Sequence, residues 1–87
     1  MKIKAEYVLR EVANQNIVVP TGKETLKFNG MINLNNSGKF LWNLLKEDRT
    51  ADELVEALMD KYEVSREVAL TDVNNFIAVL EANNFLE

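Results

Sequence analysis

The spacing of apolar and polar residues predicts β-strands in the first third of the chain. Residues 7–12 and 17–19 are rich in Tyr, Val and Ile, which favour extended structure. Between these runs, Asn-Gln-Asn at positions 14–16 predicts a turn. Pro-Thr-Gly at positions 20–22 predicts another turn after the second run. The pattern therefore predicts two strands joined by a short link.

A third strand is predicted over residues 27–34, where apolar side chains recur at alternate positions. Phe28, Ile32 and Leu34 share one face, and Gly30 interrupts that face. A period of two residues is typical of a strand with one buried face. Together with the first two runs, this segment predicts an antiparallel meander.

Two helices are predicted in the middle of the chain. Residues 40–45 follow a junction of helix-capping residue types at positions 35–38, and their apolar side chains recur at helical spacing. Thr50 and Glu53 form a capping box, in which each side chain can accept a hydrogen bond from the backbone N–H of the other residue. The helix that starts there carries one apolar stripe: Leu54, Val55, Leu58, Met59 and Tyr62.

A third helix is predicted from an N-cap at Ser65 to about Ala82. Asn residues at positions 83–84 end it, and residues 85–86 (Phe-Leu) form a short apolar tail that can pack on the core. Three strands followed by three helices predict an α+β, winged-helix-like fold, a three-stranded antiparallel sheet followed by three helices. No linker interrupts the pattern, so we expect one domain over residues 1–87.

Composition narrows the possible functions. The chain has no Cys and no His, which are the usual transition-metal ligands, and His is the commonest general acid or base. Its three glycines form no phosphate-binding loop. We therefore expect no catalytic residues, no metal site and no cofactor, and we do not expect an enzyme. No apolar run approaches the length of a membrane span, and the absence of Cys is typical of a cytoplasmic protein.

The distribution of charge argues against DNA binding, the usual function of a winged-helix architecture. The net charge is −4. Phosphate contacts need Lys or Arg, which supply most non-specific affinity for DNA. Between residues 63 and 87 the only basic residue, Arg66, stands against five acidic ones: Glu63, Glu67, Asp72, Glu81 and Glu87. We expect no nucleic-acid binding, and a winged-helix regulator is the less favoured alternative.

The predicted third helix carries two apolar surfaces when it is projected at 100° per residue. The broader one is the stripe expected to face the core: Ala69, Leu70, Val73, Phe76, Ile77 and Leu80. Beside it runs a narrower surface, called here the lateral strip: Val68, Asp72, Asn75 and Val79. Either the lateral strip packs against the sheet, or it forms one wall of a groove for an extended peptide.

The predicted third strand supplies the second wall in the groove hypothesis. An edge strand has free backbone N–H and C=O groups that can pair with an added peptide, and Gly30 would let another backbone approach closely. The residues predicted to bind peptide on this strand are Asn29, Gly30, Met31, Ile32 and Asn33. Alternatively, the edge pairs with the first strand of the same chain. It could also pair with a second copy, which would make the chain a homodimerising structural module.

Several segments, in their order and spacing, carry a family resemblance. They are residues 34–38 (Leu-Asn-Asn-Ser-Gly), 41–45 (Leu-Trp-Asn-Leu-Leu), 50–55 (Thr-Ala-Asp-Glu-Leu-Val), 62–64 (Tyr-Glu-Val), 72–77 (Asp-Val-Asn-Asn-Phe-Ile), Leu80 and 85–86 (Phe-Leu). In this pattern the chain resembles the PqqD-like family, also called RiPP recognition elements. The resemblance covers nearly the whole chain.

The resemblance implies a winged-helix-like domain that binds the leader segment of a ribosomally made precursor peptide. In this family the leader lies as an added strand on the third strand and against the last helix. The domain presents it to a modifying enzyme such as a radical SAM protein or a leader peptidase. The resemblance thus implies a non-catalytic peptide chaperone, with no membrane partner, that is a monomer or a weak dimer.

The resemblance also assigns roles to individual residues. Trp42, on the apolar face of the first helix, is expected in the core rather than as a stacking surface for a ligand. Asn35 is expected to cap or bend the strand-to-helix junction. Asp72 begins the family's Asp-Val pair and lies on the lateral strip. The acidic last helix suits a leader whose contacting part is neutral or basic.

Overall fold

A computed structural model of the chain describes residues 1–21 and 32–87. The elements, in chain order, are β1 (Tyr7–Val12), β2 (Gln15–Pro20), β3 (Ile32–Leu34), α1 (Asn36–Leu44), α2 (Ala51–Tyr62) and α3 (Arg66–Ala82). This confirms the predicted α+β fold, with a three-stranded antiparallel sheet followed by three helices. Of the predicted third strand, residues 27–31 lie outside the described residues.

The sheet has the order β1-β2-β3, and both neighbouring pairs are antiparallel. β3 therefore pairs with β2, and the alternative that it pairs with the first strand is wrong. The short hairpin pairs β1 with one edge of β2, and β3 pairs with the other edge of β2. In the part of the chain that the structure describes, no strand pairs with the other edge of β3.

The turn between β1 and β2 comprises residues 13–14 and not the predicted residues 14–16, so it starts one residue earlier and ends two residues earlier. Ala13 and Asn14 have φ values of 50° and 66°, so the two central residues of the hairpin are both left-handed. Such a turn matches the right-handed twist of paired strands. Asn14 tolerates the left-handed region well, whereas Gln15 and Asn16, predicted in the turn, belong to β2.

All three predicted helix caps are present. Asn35 accepts a hydrogen bond from the Gly38 N–H at 2.8 Å, and Ser65 accepts one from the backbone of α3 at 3.2 Å. The capping box before α2 is complete, because the Thr50 N–H donates to the Glu53 carboxylate at 2.9 Å and the Glu53 N–H donates to the Thr50 hydroxyl at 3.2 Å. The first of these bonds lowers the pKa of Glu53, since it stabilises the ionised carboxylate.

The core lies between the sheet and the helices, and the C-terminal tail contributes to it. Phe85 is fully buried; its ring centroid is 4.4 Å from that of Tyr7 and 5.9 Å from that of Trp42. The predictions that the tail can pack on the core and that Trp42 is a core residue are both confirmed. Other fully buried side chains are Leu41, Leu45, Leu54, Leu58, Leu80, Val18, Val55 and Val73.

The segment before β1 is fastened beside this tail. Ile3 and Leu86 form an antiparallel bridge. The Lys4 N–H donates to the Phe85 carbonyl at 2.8 Å, and the Glu87 N–H donates to the Lys2 carbonyl at 2.8 Å. Both ends of the described chain therefore lie together against the core.

The core-facing stripe of α3 is narrower than predicted. Ala69, Val73, Phe76 and Leu80 are buried and span about 60° around the helix axis. Leu70, predicted in the stripe, is 43% exposed, because it lies about 60° beyond Val73 and outside the arc that packs on the core. Ile77, also in the predicted stripe, is half-buried.

Among the helices of residues 1–21 and 32–87, none combines the length and apolar character that crossing a bilayer requires.

Candidate binding groove

A groove of about 250 Å³ lies between the β3–α1 junction and α3. It is lined by Asn33, Leu34, Asn35, Ser37, Gly38, Leu41, Asp72, Asn75, Phe76 and Val79. One wall thus comes from the end of the edge strand and the first turn of a helix, and the other from the lateral side of α3.

The first wall is held in shape by the cap of α1. Asn35 accepts hydrogen bonds at its Oδ1 from the Gly38 N–H, at 2.8 Å, and from the Ser37 hydroxyl, at 3.0 Å. Gly38 allows β3 and α1 to approach closely, since a Cβ atom at this position would lie 3.1 Å from Asn35 Oδ1 and 3.2 Å from Leu34 Cβ. A side chain at position 38 would therefore require the side chains of Leu34 and Asn35 to shift.

The second wall combines apolar and polar side chains of α3. Phe76 and Leu41 are almost fully buried and form the apolar floor. Val79 is 39% exposed, and the side chains of Asp72 and Asn75 are exposed on the same side. A carboxylate and an amide therefore border an apolar surface at the rim of the groove.

The structure brings together four of the nine residues predicted to bind peptide: Asn33, Asp72, Asn75 and Val79. Ile32 packs against the core instead, because its side chain is on the buried face of β3. Val68 lies at the start of α3, is 47% exposed, and does not line the groove. The predicted residues Asn29, Gly30 and Met31 lie outside the described residues.

The exposure of Val68 and Val79 distinguishes the two interpretations of the lateral strip. If the strip packed against the sheet, Val68 and Val79 would be buried there. Both are exposed instead, and the space beside Val79 is open. The strip therefore remains at the protein surface. Val79, at one end, lines the groove, whereas Val68, at the other end, does not.

Sequence reasoning did not predict the contribution of α1 to the groove. The sequence places Ser37 and Gly38 in a capping junction before the helix, whereas α1 already begins at Asn36 and only Asn35 is its N-cap; Leu41 faces the core as predicted. Their place in the groove depends on how α1 docks beside α3, which no local pattern encodes. Phe76 was predicted in the core and is also part of the groove floor, with 7% of its surface exposed.

Asn16 is a further residue that sequence reasoning missed. It is a polar side chain in β2 with only 6% of its surface exposed, and its Nδ2 donates to the Leu34 carbonyl at 3.1 Å. This bond ties the end of β3, and hence the first wall of the groove, to the centre of the sheet. An Asn among apolar strand residues is a weak signal of such a role, because Asn is equally common in turns.

We expect Asn16→Ala to lower the free energy of unfolding by about 1–3 kcal/mol, because it removes a buried side chain and leaves the partly buried Leu34 carbonyl without its side-chain donor. Chemical denaturation followed by circular dichroism measures this loss. Gln15→Ala is a matched control, since Gln15 is exposed in the same strand and should change stability by less than about 0.5 kcal/mol. Equal losses for the two variants would contradict a special role for Asn16.

The fold and the groove define a small winged-helix-like α+β domain in which, among the described residues, the outer edge of β3 is unpaired beside the last helix. The family described as coenzyme PQQ synthesis protein D (PqqD) matches residues 6–86, so the chain belongs to the PqqD family. The family resemblance noted from the sequence is thereby confirmed.

A solved structure described as TbiB1 in complex with the TbiA(beta) leader peptide has the same fold. It is 25% identical in sequence, aligns with a TM-score of 0.77, and the alignment covers all of this chain and 95% of that chain. A comparison with curated proteins found no match.

Proposed function

We propose that this protein binds the leader segment of a ribosomally made precursor peptide as a strand added to β3. It then presents the peptide to a modifying enzyme in the cytoplasm. The observation that carries the proposal is the groove itself, which adjoins the free edge of β3 and is lined on its far side by α3. Membership of the PqqD family supports it, as does the similar fold of TbiB1, whose structure contains a leader peptide.

The backbone of β3 favours Asn33 as a point of attachment. Successive residues of a strand direct their N–H and C=O groups to opposite edges. The two-residue turn at Ala13 and Asn14 makes Val12 and Gln15 a hydrogen-bonded pair, so Gln15 directs its backbone groups to β1 and Asn16 directs its own to β3. Asn16 is paired with Leu34, so the backbone groups of Leu34 are on the β2 side. Those of Asn33 are then on the free edge, in agreement with the place of Asn33 in the groove lining.

The side chains of β3 determine which side of an added strand enters the groove. Ile32 and Leu34 are half-buried and pack against the core on the helical side of the sheet. Side chains of a paired strand alternate in the same way. Every second side chain of the leader would therefore point towards α3, where Asp72, Asn75 and Val79 lie.

The proposed role is non-catalytic. Among the described residues, the groove lining contains one carboxylate, three side-chain amides and one hydroxyl beside apolar residues, a combination suited to holding a peptide in place. The chemistry would be supplied by the partner enzyme, such as a radical SAM protein or a leader peptidase.

The test is a titration of isotope-labelled protein with a synthetic leader from a precursor peptide encoded beside its gene. We expect the Asn33 amide to shift and to exchange with solvent more slowly in the complex, because it becomes hydrogen-bonded to the added strand. The Leu34 amide, already on the β2 side, should gain little protection. If the largest shifts fell on α2, the binding surface would be elsewhere.

The free edge of β3 also fits a second copy of the chain, which keeps homodimerisation as an alternative. Sedimentation of the protein with and without the leader separates the two functions. We expect a monomer or a weak dimer that the leader dissociates. A stable dimer that ignores the peptide would favour the structural alternative.

A further inference from the structure

We propose that one groove-facing side chain of the bound peptide is Lys or Arg, and that Asp72 selects it. The inference rests on the proposed function and specifies the chemistry of its ligand. It starts from the position of Asp72, the only carboxylate among the described residues that line the groove, at the rim of an apolar floor.

The described part of the chain supplies no cation for Asp72. None of the ion pairs formed within residues 1–21 and 32–87 includes it. Arg66, the basic residue of α3, is directed away from it to Glu56, at 2.9 Å, and Asp52, at 4.0 Å. Lys39 of α1 pairs with Glu11 at 3.3 Å. The ligand is therefore the natural source of a counter-charge.

The cost of covering Asp72 decides among possible ligands. An apolar leader side chain laid over the carboxylate would remove water from it without replacing its hydrogen bonds, which is unfavourable. An acidic side chain would add repulsion. Lys or Arg restores both charge balance and hydrogen bonds, and its aliphatic stem can lie on the apolar surface of Leu34 and Val79.

The geometry also restricts where the basic residue stands in the peptide. Asp72 and Val79 are seven residues apart on α3, which corresponds to about 10.5 Å along the helix axis. Side chains on one face of a strand are about 6.7 Å apart at a spacing of two residues and about 13.4 Å at a spacing of four. The basic residue and the apolar residue that contacts Val79 should therefore be separated by an even number of positions, two or four.

Selection from a random, cysteine-free 12-residue peptide display library tests the inference without knowledge of the natural leader. The baits are the wild-type protein, Asp72→Asn, Asp72→Lys and Glu81→Lys. Glu81 is exposed and lies on the opposite side of α3 from Asp72, so Glu81→Lys matches the charge change of Asp72→Lys outside the groove. Circular dichroism first establishes that each bait is folded.

We expect the wild type and Glu81→Lys to enrich Lys or Arg at one position, two or four residues from an apolar one. Asp72→Asn should lose the basic preference and keep the apolar one, while Asp72→Lys should favour Asp or Glu. In a synthetic peptide from the wild-type selection, replacing the basic residue with norleucine should weaken binding to the wild type about tenfold or more. The same replacement should weaken binding to Asp72→Asn by less than about twofold.

The possible failures are distinct. If the wild type and Asp72→Asn enriched the same peptides, or if no basic preference emerged, the role of Asp72 would be overturned while peptide binding stood. If no bait enriched any peptide, or if the selected peptides left the Asn33 amide unshifted, the proposed function would fail and the inference with it. If Asp72→Lys does not fold, Asp72→Asn and the norleucine peptide carry the same test.

Discussion

Phe85→Ala is expected to destabilise the protein by about 3–5 kcal/mol, a large part of the stability of a domain of this size. Phe85 is fully buried between Tyr7 and Trp42, so the substitution leaves a cavity that these large rings cannot easily fill. Thermal unfolding followed by circular dichroism should show a fall in melting temperature of at least about 10 °C.

The control for this substitution is Val12→Ala. Val12 is 56% exposed at the end of the β1–β2 hairpin, so its loss should change stability by less than about 0.5 kcal/mol. A melting temperature for Phe85→Ala that matches that of Val12→Ala would show that the tail does not belong to the core.

Val79→Asp is expected to weaken peptide binding about thirtyfold or more and to change stability little. The substitution places a second carboxylate on the apolar rim of the groove, where a bound peptide would desolvate it. Because Val79 is 39% exposed in the free protein, the new charge keeps most of its water before binding. Calorimetric titration with the leader, together with the melting temperature, measures the two effects separately.

Two comparison variants test whether the effect of Val79→Asp on peptide binding depends on its position in the groove. Leu70→Asp adds the same charge to an equally exposed side chain outside the groove, so it should leave peptide affinity within about twofold. Val68→Asp reports whether the peptide extends along the lateral strip beyond the groove. If Val79→Asp lowered the melting temperature as much as Phe85→Ala and left affinity intact, Val79 would be a core residue.

Phe76 is unsuitable for separating stability from binding, although the sequence places it in the core. It packs on the core and also forms part of the groove floor. A truncation there would empty the core and alter the groove at once. Phe85 does not line the groove, so its loss tests packing without changing the proposed binding surface directly.

Local chemistry explains which parts of the fold could be predicted from the sequence. The capping box of Thr50 and Glu53 and the cap at Ser65 depend on residues three positions apart, so the starts of α2 and α3 can be predicted from the sequence. The meander follows in the same way from short apolar runs and the turn residues between them. The start of α1 at Asn36, before the predicted residues 40–45, does not follow in this way. The sequence predicts the hairpin turn at residues 14–16 and not at 13–14, because Asn14 and Asn16 are both good turn formers and only the pairing of β1 with β2 decides between them.

The candidate site was predicted only where it depends on the pattern of a single element, which is α3 for three residues and the edge strand for Asn33. The period of α3 identified Asp72, Asn75 and Val79 as neighbours, and they line the groove together. The exposure of Leu70 and the different surroundings of Val68 depend on the angle at which α3 packs on the core. The contribution of Gly38 depends on the approach of α1 to β3, and the role of Asn16 depends on a contact 18 residues away along the chain.

The contact between the two ends of the described chain has a consequence for protein engineering. Because the Glu87 N–H donates to the Lys2 carbonyl and Ile3 is bridged to Leu86, a linker could join the ends of the described chain outside the core. It would remove the Met1 ammonium and with it the bonds to Asp48 and to the Arg49 carbonyl. The exposed hairpin at Ala13 and Asn14 is then a suitable place to open the chain, since its loop contributes no buried side chain. Such a circular permutant would keep the strand order and the groove and carry its new ends at the tip of the β1–β2 hairpin.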